Sequence, residues 1–258
     1  MTTENGFGAA RFDFTGRRVL ITGSTRGIGH ALARAFVAAG ADVIVHGRDA
    51  GRAAEVAAAL HPGRAEGIGF DAADPAAAAR AVEGIAARGR LDALISNAGF
   101  QNRTPVADLE IDTYRHMIEG NLVSHFALAK AAAGIMAAQG GGAIVMMASI
   151  LAQHGRAGLA GYCSAKSGLV GLIRVLAAEY AAQDVRVNGV GPGFIATDMT
   201  ADVAAQKDFY DKVIGRTPAG RWGRAEDIAG PVLYLASDAA SFVHGQVLFA
   251  DGGLTAVF

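Results

Sequence analysis

Short apolar runs rich in β-branched residues alternate with alanine-rich stretches along nearly the whole chain, and this alternation limits the possible folds more than any one motif. Strands are expected at 18–22, 42–47, 65–71, 91–99, 142–149, 185–193 and 246–253. Helices are expected between them at 27–39, 49–60, 75–88, 112–139, 161–182 and 225–237. The strand runs show little alternation of apolar and polar residues, which is how strands read when helices cover both faces of a sheet. Parallel strands joined by right-handed helical crossovers follow. The expected fold class is therefore α/β, a doubly wound seven-stranded parallel sheet flanked by helices on both faces. No proline- or serine-rich linker and no break in composition divides the 258 residues, which contain 6 prolines, so a single domain over 1–258 is expected. The least regular stretch, about 197–221, follows the sixth strand and is a candidate substrate lid.

Composition narrows the partners. Apolar residues at 52% against 18% charged can fill a large core. A net charge of −1 without a long basic run argues against nucleic acid. The one cysteine, Cys163, cannot form an internal disulfide and fits a reducing compartment, where it reads as a small hydrophobe. The opening MTTENGFGAARFDF has no basic run followed by an apolar one, so no signal peptide is expected. No uncharged apolar stretch reaches the ~18 residues of a membrane helix; the longest candidate, 127–138, is interrupted by Lys130. The expectation is a cytoplasmic protein. His30, His61, His116, His125 and His244 lack metal-ligand spacing, and no metal is expected.

The first strand runs into TGSTRGIGHALARAF, with Gly23, Gly27 and Gly29 spaced G-x-x-x-G-x-G. Glycine permits the tight turn and lets backbone approach a ligand, and the N–H groups of the helix that follows can bind a pyrophosphate. The turn residues Gly23, Ser24, Thr25, Arg26, Gly27, Ile28 and Gly29 are thus candidate dinucleotide contacts in a Rossmann-type fold. The second strand ends VIVHGRD, with no acid at His46 or Gly47 to hold a 2′-hydroxyl. Arg48 follows, and Arg26 lies in the glycine turn. Two guanidinium groups near one phosphate favour NADP(H) over NAD(H), because each charge-assisted bond contributes about 1.5–3 kcal/mol. Asp49 reads as a helix N-cap. Asp71, beside Ala72 after the third strand, either accepts from an adenine amino group or caps a turn. Asn97, Ala98 and Gly99 end the fourth strand with little bulk, leaving room for a flat ligand at the sheet edge.

Tyr162 and Lys166, four residues apart in GYCSAKSG, fall on one face of a helix. An ammonium beside a phenol lowers its pKa from about 10, so the pair could exchange protons near neutrality. Ser149 ends the fifth strand and Asn121 sits in the preceding helix. Taken in order, Thr22-Gly23-x-x-x-Gly27-Ile28-Gly29, Asn97-Ala98-Gly99, Asn121, Ser149, Tyr162-x-x-x-Lys166, GPGFIATD at 191–198 and the terminal ADGG resemble the short-chain dehydrogenase/reductase family, from about Phe14 onward.

The resemblance implies a nucleotide-binding and catalytic core over about 14–193. It implies that Tyr162 gives a proton to a carbonyl oxygen in reduction and removes it in oxidation. Lys166 would lower the tyrosine pKa and bond the nicotinamide ribose, Ser149 would hold the substrate oxygen, and Asn121 would support a water linking Lys166 to solvent. Pro192, Gly193, Ile195 and Thr197 would line the nicotinamide. A homotetramer is implied as well. Gly191 departs from the family pattern, where Asn often precedes Pro-Gly. NAGFQNRTPV, SILAQHGRAGLAGYCSAKSG and RTPAGRWGRAEDIAGPVLYLASDAASFVHGQVLFADGG are similar to the branch that interconverts D-gluconate and 5-keto-D-gluconate, usually with NADP. Gln101, Arg103, Gln153, His154 and Arg156 would suit a polyhydroxy acid, an arginine fork binding its carboxylate. Two alternatives stand beside it. A 3-oxoacyl-carrier-protein reductase would share every catalytic motif and need a basic docking patch. An NADP-binding sensor or scaffold would bind without turnover.

Overall fold

A computed structural model describes residues 12–257; the expectations for the first eleven residues and for Phe258 lie outside the described residues. The strands are β1 (Arg18–Ile21), β2 (Asp42–Gly47), β3 (Ala65–Gly69), β4 (Ala93–Ser96), β5 (Gly142–Met147), β6 (Val185–Pro192) and β7 (Val247–Ala250). They form one parallel seven-stranded sheet in the order β3-β2-β1-β4-β5-β6-β7. The chain runs outward from β1 in one direction and from β4 in the other. A crevice therefore opens between the carboxyl ends of β1 and β4, where the strand order reverses.

The helices are α1 (Gly27–Ala38), α2 (Ala50–Leu60), α3 (Pro75–Ala86), α4 (Ile111–Ile118), α5 (Ser124–Ala138), α6 (Ala160–Tyr180), α7 (Ala201–Ala204), α8 (Lys207–Arg216) and α9 (Ala229–Ala236). Both sheet faces are apolar, which explains the missing alternation. Val19, Ile21, Val43, Val45, Ile95 and Val145 pack on one side with residues of α1, α2 and α9. Leu20, Ile44, Leu94, Ile144 and Met146 pack on the other with residues of α3, α5 and α6.

The structure redraws several boundaries. β3, β4, β5 and β7 are shorter than the expected runs. The expected helix 112–139 is divided. α4 and α5 are joined by a π-helical segment, Glu119–Val123, that carries Asn121. Such widened turns recur at functional sites. Residues 111–138 have the length and apolar composition of a membrane crossing, yet half of the apolar window is buried inside the fold. Segment 197–221 is not structureless; it holds α7 and α8. The expected helix at 225–237 begins as a 3-10 turn over Ala225–Ile228.

Candidate active site

The turn after β1 is built as the glycine spacing requires. Gly23 and Gly27 take φ of +65° and +56°, in the left-handed region that favours glycine. A Cβ at Gly29 would collide with the Gly23 carbonyl oxygen and sit 2.7 Å from Asn97 Nδ2. Helix α1 starts here with no side-chain cap at Arg26 and no acidic residue in its first turn. Its free N–H groups and positive dipole end suit a phosphate anion.

Buried side chains tie this turn to its neighbours. Thr22 Oγ1 accepts from the backbone N–H of Asn97 and Ala98, at 2.9 and 3.0 Å. Asn97 Nδ2 donates to the carbonyls of Thr22 and Gly23, at 2.9 and 3.3 Å. Asn97 thus spends its amide on the glycine turn. The Ser24 hydroxyl also points inward, donating to Ile21 C=O at 2.7 Å and accepting from His46 N–H at 2.9 Å. Thr25 reaches over Gly47, and Ile28 packs on the core.

His46 was noted in the sequence only as a position lacking an acid, and its structural part was missed. It is 2% exposed. Its Nδ1 accepts from Gly23 N–H at 3.0 Å and its Nε2 faces Phe70 C=O at 3.0 Å. Those partners fix a neutral ring with the proton on Nε2. Burial holds its pKa below the ordinary value. An imidazole ending an apolar strand run was the available signal.

Arg26 and Arg48 are exposed at this edge, and neither forms an ion pair or side-chain hydrogen bond among the described residues. Asp49 caps α2 by accepting from Arg52 N–H at 3.1 Å. Asp71 accepts from Ala73 N–H at 3.0 Å, and Ala72 beside it is buried.

Asn121 is buried in the π-helical segment, with Oδ1 accepting from Phe100 N–H at 3.1 Å and Nδ2 donating to Met117 C=O at 3.0 Å. Its Oδ1 and the Lys166 Nζ both face Gly99, at 2.8 and 3.8 Å from where a Cβ would stand. One helical turn further on, His125 is buried with Nδ1 2.7 Å from Ser96 Oγ. Sequence reasoning passed over that pair because neither residue belongs to a spaced motif.

Ser149, Tyr162 and Lys166 converge at the carboxyl end of β5, at 8%, 9% and 3% exposure. Ser149 Oγ accepts from Leu151 N–H at 3.1 Å, opening a short 3-10 turn. Lys166 Nζ donates to Met147 C=O at 2.7 Å and lies 5.5 Å from the Tyr162 ring centroid. The expected acidification of the phenol needs correction. Burial pushes the Tyr162 pKa up, against hydrogen bonding by Gln101 and Ser149. Burial also pulls Lys166 down to about 7, so it is only partly charged near neutrality. Desolvation of both groups outweighs their proximity.

The other candidates divide. Gln101 neighbours the Tyr162 phenol and accepts from the Arg103 guanidinium at 3.0 Å. Arg156 lies near Arg103 and half-buried Cys163, with its guanidinium carbon 4.4 Å from the Phe209 ring centroid and 5.6 Å from that of Phe194. Gln153 and His154 are exposed and are not brought into this cluster. Pro192 and Ile195 are buried, and Thr197 reaches back so that its methyl is 3.8 Å from a Cβ position at Gly27. The departure at Gly191 has a steric reason: a Cβ there would lie 2.5 Å from the Phe249 ring. Sequence reading also missed the cluster of Phe194, Phe209, Tyr210 and Trp222. No spacing rule marks residues that a short helix and two separate loops bring together.

The short-chain alcohol dehydrogenase model described as "Enoyl-(Acyl carrier protein) reductase" matches residues 23–255. Among relatives, the chain is 36% identical over 250 residues to the 2-dehydro-3-deoxy-D-gluconate 5-dehydrogenase of Formosa agariphila, covering 95% of each. It is 36% identical over 253 residues to the gluconate 5-dehydrogenase of Gluconobacter oxydans, covering 95% of this chain and 96% of that protein. It is 38% identical over 242 residues to the 3-oxoacyl-[acyl-carrier-protein] reductase of Salmonella typhimurium, covering 93% and 98%. A crystal structure of a gluconate 5-dehydrogenase from Burkholderia cenocepacia J2315 in complex with NADP and tartrate superposes with a TM-score of 0.93 at 37% identity, covering 96% of this chain and 98% of that one. A Beutenbergia cavernae structure with bound NADP gives 0.93 at 40% identity, covering 96% and 100%. The chain belongs to the short-chain dehydrogenase/reductase family and is an oxidoreductase acting on CH–OH groups.

Proposed function

We propose that this protein interconverts a secondary alcohol and a ketone on a sugar acid, D-gluconate and 5-keto-D-gluconate, with NADP(H). The observation that carries the reading is the gathering of buried Ser149, Tyr162 and Lys166 within reach of a polar and cationic edge formed by Gln101, Arg103 and Arg156. The residues fit the cofactor. The α1 N-terminus lacks its own acceptor, and two unpaired guanidinium groups stand beside it for a 2′-phosphate. The relatives described with NADP agree with that choice.

The nicotinamide cofactor, when bound, supplies or accepts the hydride. In reduction, Ser149 Oγ donates a hydrogen bond to the substrate carbonyl and Tyr162 Oη gives up its proton as charge develops on that oxygen. In oxidation, the same phenolate removes the alcohol proton. Lys166 orders the cofactor ribose and passes protons to Tyr162, and Asn121 supports the water behind it. Segment 197–221 acts as the substrate lid. Exposed Phe126 on α5 and Val175 on α6 support self-association, read as a homotetramer.

The acyl-carrier reductase reading has one observation in its favour, the 38% identity to such an enzyme. An NADPH-consumption assay separates the two. 5-Keto-D-gluconate should be reduced and acetoacetyl thioester should not; the reverse result would transfer the assignment.

A further inference from the structure

Arg156 is half-buried, yet its guanidinium has no ion pair and no side-chain hydrogen bond among the described residues. A second guanidinium, Arg103, stands near it, and burial together with that neighbour makes its charge costly. An unpaired cation in such a place calls for an anion. Its position is also unusual in a second way. The guanidinium packs over Phe209 on α8, 4.4 Å from the ring centroid, and lies 5.6 Å from the centroid of Phe194 in the loop after β6. Both rings belong to the cluster that encloses Trp222, 5.3 Å from Phe194, 5.4 Å from Tyr210 and 6.4 Å from Phe209 between centroids. Arg156 itself precedes α6, the helix that carries Tyr162 and Lys166.

We propose that Arg156 is the residue that selects carboxylate-bearing substrates, and that Phe209 is its positioning residue, so that carboxylate binding and seating of the 197–221 segment are one event. A guanidinium can stack its face on an aromatic ring while its edge offers a planar fork of N–H donors to a carboxylate. The aromatic rings fix the plane of the fork, and the fork presents it toward the substrate. A neutral polyol leaves the half-buried cation uncompensated and gains nothing from the stacked lid. Lysine cannot replace this arrangement, because a point charge has no face to stack and no fork to orient.

The inference rests on the sugar-acid reading, and the test separates their failures. The full-length enzyme is assayed with 5-keto-D-gluconate and with L-sorbose, the same carbon chain with a hydroxymethyl group in place of the carboxylate. The emission of Trp222, the only tryptophan, is followed on titration with D-gluconate and with D-sorbitol, independently of turnover. Arg156→Lys should lower the ratio of kcat/KM for 5-keto-D-gluconate over L-sorbose about 10-fold or more. Phe209→Leu, which keeps an apolar side chain, should lower it about 3-fold, mostly through KM. D-gluconate should shift Trp222 emission in the unaltered enzyme, D-sorbitol should not, and Arg156→Lys should abolish the shift. Equal losses on both substrates, or an Arg156→Lys effect on the ratio without any Trp222 response, would overturn the coupling. If the unaltered enzyme reduces no keto acid, the sugar-acid reading fails by itself; the coupling then stands or falls on whether D-gluconate alone moves Trp222.

Discussion

The glycine turn and the 197–221 segment approach one another across the crevice, where the Thr197 methyl lies within van der Waals reach of Gly27. They are built on different principles. The turn is held by short polar bonds among buried groups, Thr22 to Asn97, Ser24 to His46 and His46 to Gly23. The segment rests on ring packing among Phe194, Phe209, Tyr210 and Trp222, with local bonds from Thr200, Thr217 and Arg221 and with α7 and α8 largely exposed. Directional bonds between buried groups fix geometry and tolerate few substitutions. Aromatic surfaces slide and repack at lower cost. On the proposed function, the polar-bonded side would serve as a rigid cradle for the cofactor and the ring-packed side as an adjustable cover for the substrate.

Lys166 lies beside Met147 and Gly99, and its replacement gives the largest expected effect short of the tyrosine itself. Lys166→Met should lower kcat/KM by about 100-fold or more while raising the apo protein's Tm. Its folded pKa of about 7 lies below the ordinary 10.5. The unfolded chain therefore holds the extra proton between those values, and the buried ammonium costs stability at neutral pH. Removing it should add about 1 kcal/mol or more, roughly 2–4 °C, by calorimetry. A lower Tm would mean that the bond to Met147 outweighs the desolvation.

On the rigid side, Arg26→Ala with Arg48→Ala should cut the preference for NADPH over NADH by about 10–100-fold in kcat/KM, leaving NADH turnover little changed. Equal loss with both cofactors would remove the 2′-phosphate argument. On the adjustable side, Tyr210→Ala deletes the ring stacked on Trp222. It should cost about 0.5–1.5 kcal/mol in urea unfolding and raise KM for substrate, with the Kd for NADPH unchanged. A change in that Kd would show that the two sides are not separable.

The smallest effect belongs to pH. Burial lowers the pKa of His46, His125 and His30 in the folded state. The unfolded chain protonates first, so the stability these rings contribute is present above about pH 6.5 and is lost as pH falls below it. A protonated His46 could no longer accept from Gly23 N–H. NADPH binding should therefore weaken as pH falls through and below His46's depressed pKa, and His46→Asn, which retains an acceptor near Nδ1, should flatten that dependence. An unchanged slope in the variant would assign the pH effect elsewhere.

The legibility of the sequence follows the same division. Strand and helix alternation located every strand, because the central ladder residues are apolar on both faces. The glycine spacing located the tight turn after the first strand, since Gly23, Gly27 and Gly29 each meet a backbone demand that no other residue meets cheaply. The π-helical turn at Asn121 and the helices within 197–221 were not legible, because their geometry comes from packing rather than local periodicity. The direction of the Tyr162 shift was misread for a related reason. Spacing shows that an ammonium lies on the same helix face, but not that both groups are stripped of water.

The central claim is that the Tyr162 hydroxyl moves the proton at the reacting oxygen of a sugar acid. NADPH consumption with 5-keto-D-gluconate, measured for the unaltered enzyme and for Tyr162→Phe alongside NADPH binding by fluorescence, addresses it directly. The expected result is a loss of about 100- to 10,000-fold in kcat with the Kd for NADPH within about twofold. A Phe variant that still turns over near the original rate would contradict the account.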